Sequence, residues 1–409
     1  MSVKFNIFSD DAMDDPHPLF SEIRRFSPVC QVEPDGWWAV SRYQDVVFVL
    51  KHPELFSSAN LRSARLAIVD PRLRDDPLFP DDSSLISSDP PVHTRLRKLI
   101  SGAFAPKAML RLEGRVRALA ADLVDRILRK SRFDMIEDLA VPLPIIVIAE
   151  MLGVDPERRA DFKRWSDDAI NVRVTSRLTD EEVERILRSR REFREYFEAM
   201  IADRRRSPRE DLVSDLCRAE SESESLRPEE VLAMTILLLI AGNETTTNLI
   251  GNGTLALLEH PEAMSRLRRD PALVPGFLEE VLRYNGPVKQ LTRRATEEVT
   301  LSGVTIPKDA TVIPLIAAAN RDPEAFPDPD RFDITRDGRG HVAFGLGIHF
   351  CVGAPLSRME GRIVFEEILR RLPAFSREPG RVEWQPMLGL RGLKALPLRF
   401  DQLTVRAQA

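Results

Sequence analysis

Ile236–Asn248 reads ILLLIAGNETTTN and lies inside a helical pattern running from Pro228 to about His260. Apolar residues occur all round that helix, so other elements must enclose it and it must cross a core. Yet it also carries Gly242, Asn243, Glu244 and three consecutive threonines. Polar groups in such a place cost free energy unless hydrogen-bonded, and an unpaired carboxylate costs most. Two readings are open on these residues alone. The threonines can bond back to carbonyls four residues earlier and bend the helix at a helix–helix interface. Alternatively, Glu244 and Thr245 form an acid–alcohol pair at a locally opened helix, holding water and passing protons into a dry cavity.

A chain of 409 residues, 43% of them hydrophobic, has the material to wrap such a helix. Helical periodicity dominates from about Pro91 to Leu282, and Thr179 with Glu182 caps a long charged helix running towards Arg205. Two stretches break the pattern, at about 29–60 and 295–316. In the first, Val29–Glu33 and Trp37–Val40 flank the turn signal Pro34-Asp35-Gly36, and Ser41 with Gln44 forms a capping box for a following helix. In the second, Val299–Leu301 and Val304–Ile306 flank Ser302-Gly303, and Thr311–Leu315 follows. A helix over about Pro355–Leu372 and short strands finish the chain. The polar run Glu220–Ser225 reads as a surface loop, not as a linker. The expectation is one domain over 1–409, mainly α with a minor β region and a small sheet near the N-terminus.

Charge excludes one class of partner. Fifty-nine Lys and Arg intermix with 64 Asp and Glu for a net charge of −5, without the concentrated basic excess of a nucleic-acid binder. Cys30, Cys217 and Cys351 are too few and too scattered for a disulfide framework or a CxxC metal site, which fits a reducing cytosol. The N-terminus is polar and acidic, and the longest strongly apolar run, Val231–Ala241, is far short of the ~20 residues that span a bilayer. A soluble, cytoplasmic protein without a membrane anchor is expected.

Three further stretches carry chemistry. In Phe344–Glu360, FGLGIHFCVGAPLSRME, glycines surround Cys351 and a helix follows at once. Cys351 is either a small buried hydrophobe beside a glycine-rich turn or a metal-ligating thiolate. A helix N-terminus offers unsatisfied N–H groups and the positive dipole end to such an anion. Glu280 and Arg283 are i,i+3 neighbours on a helix ending before Asn285-Gly286-Pro287, a pairing that is common on solvated surfaces. His93 and Arg97 share one face of a basic helix opened by Asp89-Pro90-Pro91, suited to gripping carboxylates or phosphates, or simply solvated.

Together, in this order and spacing, the stretches resemble the cytochrome P-450 superfamily of haem-thiolate monooxygenases. Phe344-Gly345-x-Gly347-x-His349-x-Cys351-x-Gly353 is similar to the family's haem-binding loop (344–353), Ala241-Gly242-x-Glu244-Thr245-Thr246 to its oxygen-activation helix, and Glu280-x-x-Arg283 to its ExxR helix. Phe326–Phe332, FPDPDRF, resembles the Pro/Arg/Phe meander, so Arg331 is expected to join Glu280 and Arg283 in a structural cluster.

The resemblance implies a long central helix over a b-type haem with Cys351 as axial ligand. Phe344, Gly345, Gly353 and Ala241 would lie against the haem. His93, Arg97, His349 and either Arg293 or Arg294, with spacing favouring Arg293, would hold its propionates. It implies O2 activation with Thr245 as the hydrogen-bonding alcohol and Glu244 as proton source. Electrons would come from NAD(P)H through a ferredoxin reductase and a ferredoxin; Arg95, Lys98, Lys107 and Arg358 either dock that acidic partner or are solvated helix faces. The substrate would be a lipophilic small molecule touching Leu237, Ala241, Val288, Leu291 and Leu390, under lids around Phe79–Ser88 and Asp167–Leu178. Lys289, Gln290 and Arg173 either orient a polar group or face solvent. A peroxide-driven haem-thiolate enzyme is the alternative within enzymes, and a haem sensor without turnover is the alternative outside them. The Glu244–Thr245 pair argues against both.

Overall fold

The computed structural model describes residues 5–33, 36–59, 71–74, 84–170, 178–221, 226–387 and 389–400. Pro34, Asp35, the first part of the Phe79–Ser88 lid, most of Asp167–Leu178 with Arg173, and residues 222–225 of the polar run lie outside them.

The helices that bear on the site are α1 (Asp10–Asp14), α2 (His17–Phe26), α3 (Tyr43–Lys51), α4 (Val92–Ser101), α5 (Pro106–Leu128), α6 (Pro142–Leu152), α7 (Asp180–Arg206), α8 (Pro228–Glu259), α9 (Val274–Asn285) and α10 (Ala354–Arg371). As its all-round apolar pattern predicts, α8 runs through the main core, packed against α6, α7, α9 and α10. Its burial fails in one place. Ala241 is exposed, and Leu237 and Thr245, four residues either side, are only half-buried. Residues spaced by four share a helix face, so this face of a core helix looks into an open cavity.

The two β-rich stretches, far apart in sequence, meet in one sheet. Its order is β1 (Phe5–Asn6), β2 (Val29–Glu33), β3 (Trp37–Val40), β9 (Thr311–Pro314), β6 (Arg293–Ala295) and β4 (Phe56–Ser57). The β2–β3 hairpin pairs Val29 with Val40, and β3 runs parallel to β9 with Trp38 opposite Val312. Strands β7 (Val299–Leu301) and β8 (Val304–Ile306) form the expected separate hairpin. β5 (Arg132–Asp134), β10 (Phe375–Arg377) and β11 (Pro397–Phe400) make a third sheet in the order β10-β11-β5.

The capping box at Thr179–Glu182 is present, with the hydroxyl and the carboxylate each accepting a backbone N–H. The one expected at Ser41–Gln44 is not. Ser41 donates its hydroxyl to the Pro28 carbonyl, and the Tyr43 N–H at the start of α3 is bound by the Asp322 carboxylate at 2.7 Å. A partner distant in sequence has displaced the local one.

Glu280 and Arg283 are fully buried and paired through two 2.8 Å bonds. Arg283 also donates to the carbonyls of Asn320 (3.0 Å) and Pro329 (2.8 Å), and Glu280 accepts the Asp333 N–H at 2.8 Å. The expectation for Arg331 is wrong in its side chain. Arg331 contributes its carbonyl to Arg283 at 3.3 Å, while its guanidinium is 72% exposed. The further cation is Arg336, whose Nε lies 3.4 Å from Glu280 and whose guanidinium also donates to the Pro327 and Asp328 carbonyls. Replacing Arg283 by Ala leaves a buried carboxylate short of its main cation, which costs about 3–5 kcal/mol. Replacing Arg331 by Ala should cost less than ~0.5 kcal/mol, as an exposed side chain does. Urea unfolding of both variants tests the pair, and equal losses would contradict this assignment.

Candidate active site

The cysteine loop folds back on itself. Cys351 N–H donates to the Phe344 carbonyl and Gly345 N–H to the Val342 carbonyl, both at 2.9 Å. Gly345 and Gly347 adopt φ of +68° and +67°, a region that favours glycine. At Gly347 there is a second reason, since a Cβ would stand 2.5 Å from the Leu50 carbonyl oxygen in α3. Gly353 differs. Its φ is an ordinary −81° and the nearest atom to an added Cβ is the Cys351 sulfur at 3.9 Å. No atom of the described residues therefore demands a glycine there, and its lack of a side chain keeps space clear beside Sγ. Burial pushes the Cys351 thiol up, while the N–H groups of Gly353 and Ala354 and the charges of Arg97 and Arg358 pull it back.

Beside the loop, α4 and β6 gather positive charge. The His93 and His349 rings lie 4.3 Å apart, and both nitrogens of His93 and Nε2 of His349 have no hydrogen-bond partner among the described residues. Arg97 donates to the Phe350 carbonyl at 2.6 Å. Arg293 is buried and its Nη1 reaches only the neighbouring Thr292 carbonyl. Burial lowers Arg293 to about 10, with Asp89 acting against it. His349 falls to about 3, first through burial, then through Arg293, His93 and Arg97. Asp89 is close by, but its oxygens hold Ser57 and the Ser58 N–H. Arg294 faces the other way, bonding Asp309 at 2.7 Å.

On the uncovered face of α8 stand Ala241 and Thr245, whose hydroxyl donates to the Ala241 carbonyl at 2.8 Å, with Glu244 buried beside them. Val288 and Leu390 face each other across an isolated antiparallel bridge, and both are half-buried, as are Leu291 and Leu237. Lys289 and Gln290 are each only 3% exposed, so neither faces solvent, and Lys289 turns to the sulfur of Met13.

Two of the four candidate docking residues carry ion pairs. Arg95 is bidentate to buried Glu230 at 2.6 and 3.0 Å, and Arg358 is bidentate to Glu279 at 2.7 and 2.8 Å. Arg358 also lies 4.5 Å over the Phe344 ring. Lys98 and Lys107 are exposed. Sequence reasoning missed the roles of Glu279, His341, Asn320 and Arg336, none of which has a local signal.

Buried ring nitrogens without partners, a half-buried sulfur facing the N–H groups of Gly353 and Ala354, and an uncovered face on a core helix suit a flat, anionic, iron-bearing group. A cytochrome P-450 family model matches residues 25–381, and the chain belongs to that family. The cytochrome P-450 monooxygenase PikC of Streptomyces venezuelae is 41% identical over 95% of this chain and 92% of its own. The structure of CYP109Q5 from Chondromyces apiculatus superposes with a TM-score of 0.88 at 45% identity, covering 98% of each chain. CYP109E1 from Bacillus megaterium, solved in complex with testosterone, gives 0.85 at 36% identity, covering 96% of this chain and all of that one. This chain is thus a haem-dependent monooxygenase that takes electrons from a redox partner and hydroxylates a lipophilic small molecule. Among the described residues no helix is long and apolar enough to cross a membrane.

Glu279 supplies a pH test of the contacts behind Phe344. Burial alone would raise this carboxyl, but bonds from Arg358 and His341 hold it at about 2 against an ordinary 4.5. A carboxylate depressed on folding stabilises the native state above its unfolded pKa, and that contribution is lost as pH falls through the folded value. The stability difference between the wild type and Glu279→Gln should therefore be full above pH 4.5 and shrink steadily towards pH 2, read by urea unfolding at several pH values. A difference independent of pH would reject the pairing.

Proposed function

We propose that the Cys351 sulfur would ligate the iron of a b-type haem and that His93, Arg97, Arg293 and His349 would hold its propionates. The observation that carries this is the set of buried donors on His93 and His349 without partners, beside an Arg293 that burial makes costly to charge. Carboxylates at that edge would accept an N–H from each ring and pair with the two guanidinium groups. Arg293 is preferred to Arg294, which is already engaged by Asp309. Phe344 and Gly345 shape the thiolate side, and Gly353 leaves room for the porphyrin. Ala241 would also lie against the haem.

A thiolate-ligated haem supplies cleavage of dioxygen and oxygen insertion into a C–H bond. This chain's task is to deliver protons and hold the substrate. Thr245 is a hydroxyl that can rotate off the Ala241 carbonyl and donate into the cavity. Glu244, the residue before it and about 100° round the same helix, passes protons to it through water. Val288, Leu291, Leu390, Leu237 and Ala241 present an apolar wall, which takes a lipophilic substrate and excludes bulk water. The relatives' ligands fit such a wall, CYP109E1 with testosterone among them.

The electron donor is proposed to be a ferredoxin, reduced by NAD(P)H through its reductase. The acid–alcohol pair favours this over peroxide as oxidant, because peroxide already carries the electrons and protons that the pair would manage.

Two measurements test the reading. The reduced carbon monoxide complex should show the red-shifted Soret band of a thiolate-ligated haem, and its absence would overturn the assignment of Cys351. Thr245→Ala should lower the rate of hydroxylation, with a surrogate ferredoxin and reductase, by on the order of tenfold to hundredfold. Peroxide released per electron should rise in step. Unchanged coupling in that variant would remove Thr245 from the proton path.

A further inference from the structure

The wall formed by Val288 and Leu390 has a back, and the back is gripped by the N-terminal segment. Successive residues of extended chain point to opposite faces, so the neighbours Lys289 and Arg391 turn away from the cavity. Lys289 N–H bonds the Gly389 carbonyl and Arg391 N–H the Pro287 carbonyl, both at 2.8 Å, which locks the two segments into one layer. Behind that layer lies α1. The Arg391 guanidinium donates to the Asp14 carbonyl at 2.9 Å and the Met13 carbonyl at 3.4 Å, capping the helix end. It also bonds the Asn285 side chain at 2.9 Å and stacks 3.6 Å over Trp384. Lys289 Nζ reaches the Met13 sulfur at 3.4 Å.

Two features are hard to explain as packing alone. A helix of five residues has no stability of its own, so the order of α1 depends on this grip. And Lys289, with a thioether as its partner, sits where an apolar side chain of equal length would fill the space at lower cost. Burial, followed by the charge of Arg391, brings its amine down to about 7. The front of the layer is tied as well, since Asn252 of α8 donates to the carbonyls of Arg391 (3.1 Å) and Asn285 (3.0 Å). The wall is thus suspended between the oxygen-activation helix and the N-terminal segment.

We propose that Asp10–His17 is the outer half of the substrate wall: through Arg391 and Lys289 it sets how far Leu390 and Val288 reach into the cavity, and so which widths of lipophilic substrate are accepted. This rests on the reading of Val288 and Leu390 as pocket residues. Arg391 and Lys289 are positioning residues, and α1 is a specificity element remote from the chemistry.

Met13→Ala removes the partner of Lys289 and loosens α1, while Lys289→Met keeps the packing and removes the amine. Backbone hydrogen exchange, which needs no substrate, should quicken about tenfold at the Lys289 and Arg391 amides in Met13→Ala. Spectral titration with a straight-chain fatty acid and a steroid should show the ratio of their dissociation constants shifting by about threefold or more in both variants. The wild-type reduced carbon monoxide spectrum should persist. A lower melting temperature with neither change would mean that α1 is a structural brace only, and would overturn the proposal. If neither ligand binds, the exchange result decides alone. Loss of the carbon monoxide band in the wild type would instead count against the haem-thiolate reading, leaving the exchange result to judge the wall.

Discussion

The buried Glu280–Arg283 pair sets the position of the cysteine loop although it touches neither Cys351 nor the cavity. Arg283 holds the Asn320 carbonyl, and the Asn320 side chain accepts the Val342 N–H at 2.7 Å. Val342 in turn accepts from Gly345, and Phe344 accepts from Cys351. Four links thus carry the loop from one ion pair. A charge pair taken wholly out of water is costly unless every remaining valence is used, and here both partners spend theirs on backbone groups of the meander. That is why the pair works as an anchor: it is worth making only when the chain around it is in one arrangement.

The second constraint is electrostatic. His93, Arg97, Arg293 and His349 crowd together although like charges repel, and burial presses His93, Arg293 and His349 towards neutrality. A protein interior accepts such a cluster at a cost, offset when an anion binds among them. A dianionic ligand held there, as proposed, would couple folding to cofactor capture, since β6 of the main sheet, α4 and the cysteine loop all contribute to the cluster. The thiol meets the opposite problem. Arg358, through its ion pair with Glu279 and its place over the Phe344 ring, is part of the support for the loop.

Local chemistry made much of this legible. The all-round apolar pattern of α8, the β2–β3 and β7–β8 hairpins, the Thr179 cap and the Cys351 loop each depend on residues within a few positions of one another. The misses share the opposite property. Ser41 lost its cap to Asp322, and Arg331 lost its side-chain place to Arg336. In each case a charged or polar group chose a partner that only the tertiary fold brings near. A motif such as FPDPDRF marks where a meander runs, but which of its arginines turns inward depends on the path of the backbone. The merging of two distant β stretches into one sheet was hidden for the same reason, since register between them is set by tertiary packing.

Substrate choice belongs to that less legible class. The reaction type follows from a few groups with strict geometric demands, a sulfur, an alcohol and a carboxylate, and such demands leave motifs. A lipophilic ligand asks only for apolar surface at the right distance, which the proposed wall of Val288, Leu291 and Leu390 would supply without any distinctive spacing. Their reach into the cavity is then a property of what stands behind them. Because the layer carrying Val288 and Leu390 is pinned by Asn252 on one side and by Met13 and Asp14 on the other, a change in either support moves the wall without altering a residue that touches substrate. Selectivity in such a protein can therefore drift through positions that conserve the chemistry entirely, and the chain's N-terminal end is one place where that freedom is available.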